Sequence, residues 1–412
     1  MITPMFAGGV YIDPDAPHMK QPDPLTPIRA ASIRGQLRFW WRVARAHTCR
    51  TVDELWRREA EVWGSASAPG RVALEVIGQP EPERLEIYVS SPSRGLNPTW
   101  NPESSAGMKD YAYGGFPLQH KASQPRQTEN GSLTTLQGVF TIRITGAGDL
   151  RTEAEAAVGA WLTFGGIGGR TRRGFGAVAE VGDDNQPIPV APGRFLVGAN
   201  DPVGLTGHPR EGEVVARSGS DRHIAAPFTD ASTAHRFALR ALKIFRQGVG
   251  VARPGPDARF PGRTFWPDAD MVKRWTRPPG PKHPPEHSVR KFPRAAFGLP
   301  IIFHFKRGDN DGPDATLQPV GRKRLASPLF LRPIRTTGGW SALAVIIRDP
   351  GADLRTVAGP GLALSIAGAP PVPVESAHLT PAEASAVEPM GANRGFVDPL
   401  AAFLNLFKSL SL

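Results

Sequence analysis

Glycines and arginines are concentrated in one short stretch of the chain, and the combination fits phosphate chemistry. Residues 161–176 read WLTFGGIGGRTRRGFG and contain no acidic side chain. Glycine adopts positive φ and allows another chain to approach closely. Backbone N–H groups in such a loop can form an anion-binding concavity, and guanidinium forks match phosphate oxygens. The stretch therefore predicts a loop that holds a polyanionic backbone. The residues assigned to this role are Gly165, Gly166, Gly168, Gly169, Arg170, Arg172, Arg173, Gly174 and Gly176.

The glycine-rich stretch does not match the common nucleotide-binding loops. A P-loop requires G-x-x-x-x-G-K-[ST], and a dinucleotide-binding loop requires G-x-G-x-x-G between a strand and a helix. Here the glycines follow the helical pattern of Glu153–Phe164 and lead into Ala177–Val181, which is predicted as a strand. An extended polyanion is therefore favoured as the ligand. The alternative is a glycine-rich turn whose arginines are simply solvated.

A second set of arginines lies on a helix predicted over Ser32–His47, with Ser32 as the N-cap. Apolar residues recur on one face of this helix, and arginines at positions 34, 38, 42 and 45 form a second face. Like charges at this spacing repel, so either carboxylates from elsewhere or RNA phosphates must compensate them. Since the basic residues accumulate in this region, we assign Arg34, Arg38 and Arg42 to RNA binding, with a solvated basic face as the alternative.

The elements that position these residues indicate an α+β protein. The first half is predicted as strand, helix, strands, helix, glycine-rich loop and strand, an order compatible with a ferredoxin-like (RRM-like) unit. The second half is predicted to contain a helix near Asp230–Gly248 and strands near Gly298–Lys306, Leu325–Ile334 and Trp340–Arg348. We therefore expect two domains, 1–190 and 191–412, with long loop insertions. A C-terminal helix over 399–410 is predicted to dock on its own domain or on a neighbouring subunit.

Charge and cysteine content narrow the class of partner. The formal charge is +11 and the pI about 10.2, which favours a polyanionic partner. Arginines outnumber lysines, which suits phosphate recognition but also follows from a GC-rich genome. The single cysteine, Cys49, excludes an internal disulfide and a multi-cysteine zinc site. The N-terminus lacks the charged and apolar regions of a signal peptide, and no apolar run reaches about 18 residues. A cytoplasmic protein without membrane contact is expected.

Five segments of the sequence occur in the order TPMFAGG (3–9), SIRGQLRFWWR (32–42), GGIGGRTRRGFG (165–176), FPRAAFGLPIIFHF (292–305) and RLASPLFLRPI (324–334). Together they resemble the RAMP superfamily of CRISPR-associated proteins. Within that superfamily the resemblance is closest to the family of first subunits of the Cmr module, the type III-B RNA-guided complex. The matching patches run from residue 2 to about residue 334, and residues 92–132 and 350–412 carry no resemblance.

The resemblance implies two ferredoxin-like domains and a non-catalytic subunit at the end of a multi-subunit filament, near the 3′ end of the guide RNA. Such a subunit is expected to help capture target RNA in antiviral defence. Its partners would be guide RNA, target RNA and the other Cmr subunits. No cofactor, metal or catalytic residue is expected, because cleavage and cyclic-nucleotide synthesis belong to other subunits in such complexes.

Two other functions remain open. Some RAMP proteins cut RNA without metal, using His, Tyr or Lys around the 2′-OH, and a guide-processing endoribonuclease is the main alternative. A purely architectural subunit, whose basic surface meets acidic partner proteins, is the other. Close aspartate pairs could bind Mg²⁺, but Asp268 and Asp270 are predicted instead in the first turn of a helix. The candidate acid–base sets are Tyr11, His18 and Lys20, and His120 with Lys121; the other aspartate pair is Asp13 and Asp15.

An insertion predicted near residues 92–132 contains three aromatic residues at 111, 113 and 116. Aromatic side chains can stack on bases, or they can pin such a loop to the body of the protein. The second interpretation is favoured.

Overall fold

The structure is a computed structural model that describes sixteen ranges of the chain. These are residues 1–5, 9–10, 21–22, 25–80, 82–86, 88–90, 98–100, 108–115, 132–136, 139–192, 214–217, 228–247, 264–305, 308–347, 361–391 and 395–410.

The described residues form a mixed α+β structure, which confirms the predicted class. The helices are α1 (Ala30–Arg45), α2 (Val52–Trp63), α3 (Met108–Gly114), α4 (Gly148–Phe164), α5 (Ala231–Gln247), α6 (Asp268–Thr276), α7 (Pro381–Ala386), α8 (Glu388–Gly391) and α9 (Pro399–Ser409). The strands are β1 (Gly9–Val10), β2 (Gln21–Pro22), β3 (Ala73–Ile77), β4 (Pro82–Glu86), β5 (Tyr88–Ser90), β6 (Pro98–Trp100), β7 (Ser132–Leu136), β8 (Thr141–Thr145), β9 (Val214–Arg217), β10 (Ile301–Phe303), β11 (Ala315–Pro319), β12 (Leu329–Thr336), β13 (Gly339–Ile346), β14 (Leu362–Ile366) and β15 (Val372–Val374).

The sheets are small. Strands β12, β13 and β9 form one sheet in that order, and β10, β11, β14 and β15 form an antiparallel four-stranded sheet. Strand β3 pairs antiparallel with β8, in the register Leu74 to Ile144. The ferredoxin-like organisation of each half stays a prediction, because these short sheets establish only the α+β class.

The chain divides into two compact units. The first contains residues 1–240, 330–345 and 411–412, and the second contains 241–329 and 346–410. The first unit is therefore discontinuous in sequence, since strands β12 and β13 return to it late in the chain. The predicted division of the chain at residue 190 stays a prediction.

Helix α1 carries the predicted apolar stripe, but it begins earlier than predicted. Its N-cap is Arg29, which makes no side-chain capping hydrogen bond, so the prediction of Ser32 as N-cap was wrong. The first-turn carbonyl of Arg29 accepts from Ile33 N–H at 3.1 Å. The stripe itself is buried, and it consists of Ile33, Leu37, Trp40, Trp41, Val43 and Ala44. Burying such large side chains contributes about 2 to 3 kcal/mol each, so packing rather than capping fixes the helix.

The predicted strand Ala177–Val181 does not form. Its residues belong to no helix or strand, apart from a bridge between Val181 and Pro187. The reason is local: Ala177 N–H donates to the hydroxyl of Thr3 at 2.7 Å, and Ala177 C=O accepts from Ile2 N–H at 2.9 Å. The chain start thus occupies the groups that a neighbouring strand would use.

The second unit has its own core. Phe245 contacts Phe297 and Phe403 at ring-centroid distances of 5.8 Å and 5.7 Å. Phe403 lies on α9, so the C-terminal helix docks on its own unit, one of the two predicted arrangements. Among the described helices, none has the length and apolar character needed to cross a membrane.

Candidate nucleic-acid interface

Four of the six glycines in the glycine-rich loop are buried packing positions. Gly165, Gly166, Gly174 and Gly176 lie inside the first unit. A Cβ on Gly166 would come within 2.7 Å of the Gly176 carbonyl oxygen, and one on Gly176 would overlap the carbonyl oxygen of Ile167. Since these four residues are enclosed by protein, they shape the loop, and of the six glycines only Gly168 and Gly169 are exposed.

The tip of the loop is exposed. Gly168, Gly169 and Arg170 face solvent, and a short 3₁₀ helix spans Thr171–Arg173. Gly168 has φ of 81° and Arg170 has φ of 58°, both in the left-handed region. This region costs a residue with a side chain roughly 1 kcal/mol or more, so the surrounding contacts must hold Arg170 in place. The loop thus consists of a buried base and a tip, defined as Gly168–Arg173, whose first three residues are exposed and whose last three are half-buried.

Arg172 anchors the tip to two aromatic rings. Its guanidinium lies 4.6 Å from the ring centroid of Phe330 on β12 and 5.9 Å from that of Phe39 on α1. Cation–π contacts of this kind contribute about 0.5 to 2 kcal/mol. Helix α1 and the glycine-rich loop therefore lie side by side, and Trp40 and Phe164 stack at 5.8 Å beneath them.

Arg332 holds the base of the loop from strand β12. Its Nη1 donates to the carbonyl oxygen of Gly165 at 2.6 Å and its Nη2 to that of Val178 at 2.7 Å. A longer contact of 3.4 Å joins Nη1 to the carbonyl oxygen of Trp161. No acidic side chain among the described residues pairs with Arg332. Burial lowers the pKa of Arg332 to about 9, so the guanidinium remains charged at neutral pH and its carbonyl partners replace water.

His235 on α5 holds the other side of the loop. Its Nε2 lies 2.6 Å from the carbonyl oxygen of Arg173, and its ring contacts Phe175 edge-on at 5.1 Å. Burial lowers the pKa of His235 to about 4, with the hydrogen bond to the Arg173 carbonyl opposing and the nearby Arg332 adding to the shift. The ring is neutral at pH 7, so Nε2 carries the proton and donates it to this carbonyl.

The chain start closes the loop from a third side. The hydroxyl of Thr3 donates to the Gly174 carbonyl oxygen at 2.7 Å, and Gly176 N–H donates to the Pro4 carbonyl oxygen at 2.7 Å. Several loop amides are thereby used by the protein itself. The predicted anion-binding concavity is therefore confined to the tip.

The arginine face of α1 is compensated by carboxylates at three of its four positions. Arg38 Nε lies 2.6 Å from Glu59 Oε1, and Arg42 Nη1 lies 2.7 Å from Glu59 Oε2. Arg45 Nε lies 3.3 Å from Glu153 Oε2. Carboxylates of the protein therefore compensate these three arginines, which was one of the two predicted possibilities; the other was RNA phosphate. Arg38 and Arg42 were assigned to RNA binding, but with Glu59 they carry one net positive charge between them.

Arg34 differs from the other arginines of α1. No ion pair joins it to another described residue, and its Nε is buried without a hydrogen-bond partner among them. Arg34 therefore remains the candidate on this helix with an uncompensated charge.

The predicted aromatic pin is observed at one position. Tyr111 on α3 is buried, contacts Phe175 and His235 at 5.9 Å and 5.2 Å, and its hydroxyl lies 2.8 Å from Ser232 Oγ. Tyr111 thus pins α3 to the loop base, and stacking on RNA by this residue is excluded by its burial. Residue 116 lies outside the described ranges.

The candidate catalytic sets lie outside the described residues, as do Asp13 and Asp15. Asp268 and Asp270 are in the first turn of α6, as predicted, and both are buried. The first pairs with Arg294 and the second with His287. The sets outside the described ranges are Tyr11, His18 and Lys20, and His120 with Lys121.

One group of side chains in the second unit has metal-ligating types. His283, Asp309 and Asp311 place one ligand atom each within 4.8 Å of one another. Lys273 Nζ lies 3.5 Å from Asp311 Oδ2 and Lys282 Nζ lies 3.1 Å from Asp309 Oδ1. Since two ammonium groups already balance these carboxylates, the group is explained without a cation.

Three residues that build the site were not assigned to it from the sequence. Glu59 occupies an apolar-stripe position of α2 between Leu55 and Val62, and a carboxylate there could have signalled a buried partner for the α1 arginines. Arg332 is a lone cation in the apolar strand LFLRPI, which is itself such a signal. His235 lies on α5, and no pattern in the surrounding sequence indicated that it would hydrogen-bond to the Arg173 carbonyl.

Residues 1–179 match the RAMP superfamily. No curated protein matches the sequence. Two solved structures are similar in fold at a distance. The crystal structure of Cmr1 from Pyrococcus furiosus in its apo form has 14% identity and a TM-score of 0.41, covering 84% of this chain and 86% of that one. A chain in a cryo-EM structure of the type III-B Cmr-beta complex bound to cognate target RNA and AMPPnP has 11% identity and a TM-score of 0.42, covering 98% and 97%.

The family match covers α1, α2, α4 and the whole glycine-rich loop, whereas Arg332 and His235, which hold the base of that loop, lie outside it. Over residues 1–179 the sequence is therefore similar to the RAMP superfamily.

Proposed function

We propose that this protein is a non-catalytic RNA-binding subunit of a type III-B CRISPR effector complex. In this proposal it lies at the end of the complex near the 3′ end of the guide RNA and helps to capture target RNA. The observation that carries the RNA-binding part is the tip Gly168–Arg173, where Arg170 is exposed and Arg172 and Arg173 are half-buried. Arg332 and His235 hold the base of the loop beneath it. The place in the complex is supported by the order of the five sequence segments.

The tip fits a phosphate backbone better than a specific base. Guanidinium groups and exposed glycine backbone bind phosphate oxygens without reading sequence, and the chain carries a formal charge of +11. Arg34 adds a positive charge on the neighbouring helix α1. Arg38 and Arg42 together add one net positive charge, because both pair with Glu59. Binding should therefore tolerate many RNA sequences and weaken steeply with salt.

The test is a filter-binding titration with single-stranded RNA between about 50 and 200 mM KCl. Changing Arg170 and Arg173 to Gln removes two charges and keeps side chains of similar length. The salt slope should fall by about 1.4, because each phosphate contact to a single strand contributes about 0.7. A matched control changes Arg143 and Arg151 to Gln, two exposed arginines of the same unit. Equal affinity and slope for the loop variant and wild type would remove the loop from the proposal.

The same protein samples distinguish the non-catalytic subunit from the alternative, an endoribonuclease. Labelled RNA incubated with the protein in EDTA should stay intact if the subunit is non-catalytic. Metal-independent cleavage that disappears in His18→Ala would overturn the non-catalytic part of the proposal and leave RNA binding in place.

A further inference from the structure

Helix α6 and the proline-rich segment after it (residues 277–290) line an open cationic cavity in the second unit. The cavity has a volume of about 390 Å³ and opens to solvent. None of the described residues that line it is acidic. Its four cations are Lys273, Arg274, Arg277 and Arg290.

The proline-rich wall of the cavity is fixed by buried carboxylates. Asp270 Oδ2 accepts hydrogen bonds from the backbone N–H groups of Glu286 and His287 at 2.9 Å and 3.0 Å, and from the His287 ring at 2.7 Å. Asp311 accepts from His283 N–H at 2.9 Å. The wall therefore needs no ordering when a ligand binds, which lowers the entropy cost of binding.

Protein contacts balance only part of the positive charge around the cavity. Lys273 is 6% exposed, and its Nζ donates to the carbonyl oxygen of His283 at 2.6 Å and lies near Asp311. Arg274 Nη2 donates to a backbone carbonyl at 2.5 Å, but its Nη1 has no hydrogen-bond partner among the described residues. Arg277 and Arg290 are exposed and form no ion pair with another described residue.

The end of a helix explains some of these cations but not all. Arg274 lies in the last turn of α6 and Arg277 is its C-cap, where the helix dipole favours positive charge by about 0.3 to 1 kcal/mol. Arg290 follows the proline-rich segment in sequence and also lines the cavity, and the helix dipole does not account for it. Like charges that line one cavity repel one another, and an anion bound among them would relieve the repulsion.

The other residues that line the cavity are the prolines Pro278, Pro281 and Pro285. Single-strand binding proteins combine a positive groove with aromatic faces on which bases stack; here the proline rings offer apolar faces against which a base or a ribose can pack. An acidic peptide would satisfy the charges but would leave these faces unused.

We propose that this cavity binds one nucleotide of a single-stranded RNA. Its phosphate lies among Arg274, Arg277 and Arg290, and its base or ribose packs against the proline rings. The site is separate from the glycine-rich loop and lies outside the residues that match the RAMP superfamily. The inference rests on the proposed function, because it assigns a second contact for the same kind of RNA.

The test uses the full chain and a fluorescent oligouridylate of about 12 nucleotides, a length within the range of single-strand sites. Arg277 and Arg290 are changed together to Gln, and the control changes Arg322 and Arg324, two exposed arginines on a turn of the same unit. The cavity variant should bind more weakly, with a salt slope lower by about 1.4. The control should keep a slope closer to that of wild type.

Each result decides the inference. If wild type binds RNA and only the loop variant Arg170→Gln/Arg173→Gln loses affinity, the cavity proposal fails while the proposed function stands. If wild type does not bind RNA at all, both fail. Equal losses in the cavity variant and the control would indicate a net-charge effect and overturn the site. Binding of uridine monophosphate or polyglutamate as tight as that of the oligouridylate would overturn the assignment to an RNA chain.

Discussion

The guanidinium of Arg332 takes the place of water for backbone carbonyls at both ends of the glycine-rich loop. It joins Gly165, at the start of the loop, to Val178, just beyond its end. A buried acceptor that loses its donor costs about 1 to 3 kcal/mol. A planar fork reaches several acceptors at once, whereas an ammonium is a point charge. The loop thus depends on an arginine that binds no phosphate.

Arg332→Lys should therefore destabilise the first unit by about 3 kcal/mol, since at least one carbonyl loses its partner. Urea unfolding followed by tryptophan fluorescence measures the change. Arg335→Lys is the control, because Arg335 lies on the same strand, is half-buried and contacts the Trp340 ring at 5.9 Å. Equal losses in the two variants would show that Arg332 has no special role.

His235 predicts a pH dependence of stability. Its pKa falls from 6.5 when exposed to about 4 in the folded protein. Between these values the unfolded chain binds a proton that the folded chain does not, so stability falls as the pH drops from 6.5 to 4. The full loss from this group is about 3 kcal/mol, at about 1.4 kcal/mol per pKa unit.

Urea unfolding at pH 7 and at pH 4.5 measures this dependence. His235→Gln keeps a donor for the Arg173 carbonyl but does not titrate, so its unfolding free energy should change less between the two pH values. A change as large as that of wild type would assign the acid sensitivity to other groups.

At the scale of elements, the helices were predictable because their apolar stripes repeat regularly, as in α1. The ends were less predictable, since packing placed the start of α1 at Ala30 without a capping side chain. Ala177–Val181 has the composition of a strand, but its hydrogen-bonding groups meet Ile2 and Thr3 at the distant chain start. Local sequence contains no information about such a partner.

The glycines of the loop and of α1 should respond oppositely to substitution. Gly176→Ala should cost about 3 kcal/mol or more, because Gly176 has φ of 65° and an added Cβ would overlap the Ile167 carbonyl. Gly35 lies on α1 with open space around it, so Gly35→Ala should stabilise by about 0.5 to 1 kcal/mol. Thermal unfolding of both variants tests this. A Gly176→Ala protein as stable as wild type would contradict the packing role.

The candidate site itself was predicted in outline only. The density of glycine and arginine indicated the loop, but four glycines proved to be packing positions, which depends on neighbours such as Leu331 and Trp40. The α1 arginines were predicted as a basic face, while Glu59 from α2 compensates two of them. The arginines of α1 could be recognised from the sequence, but their pairing with Glu59 on α2 could not, because it depends on how the two helices pack.

At the scale of the whole molecule, the first unit is assembled from distant parts of the chain. Phe330 and Arg332, from the segment RLASPLFLRPI, contact the loop more than 150 residues earlier in the sequence. The family match ends at residue 179, so these two residues lie outside it although they contact the loop. Dividing the chain at a single position, such as residue 190, cannot describe a unit to which residues 330–345 also belong.

Contact between RNA and the tip Gly168–Arg173 can be measured by cross-linking. The full chain is irradiated with thiouridine-substituted single-stranded RNA, alone and in the assembled complex, and the cross-linked peptides are identified by mass spectrometry. We expect cross-links within residues 168–173, reduced in Arg170→Gln/Arg173→Gln and unchanged in Arg143→Gln/Arg151→Gln. Cross-links that lie only elsewhere in the chain, with none at the tip in either state, would contradict this expectation.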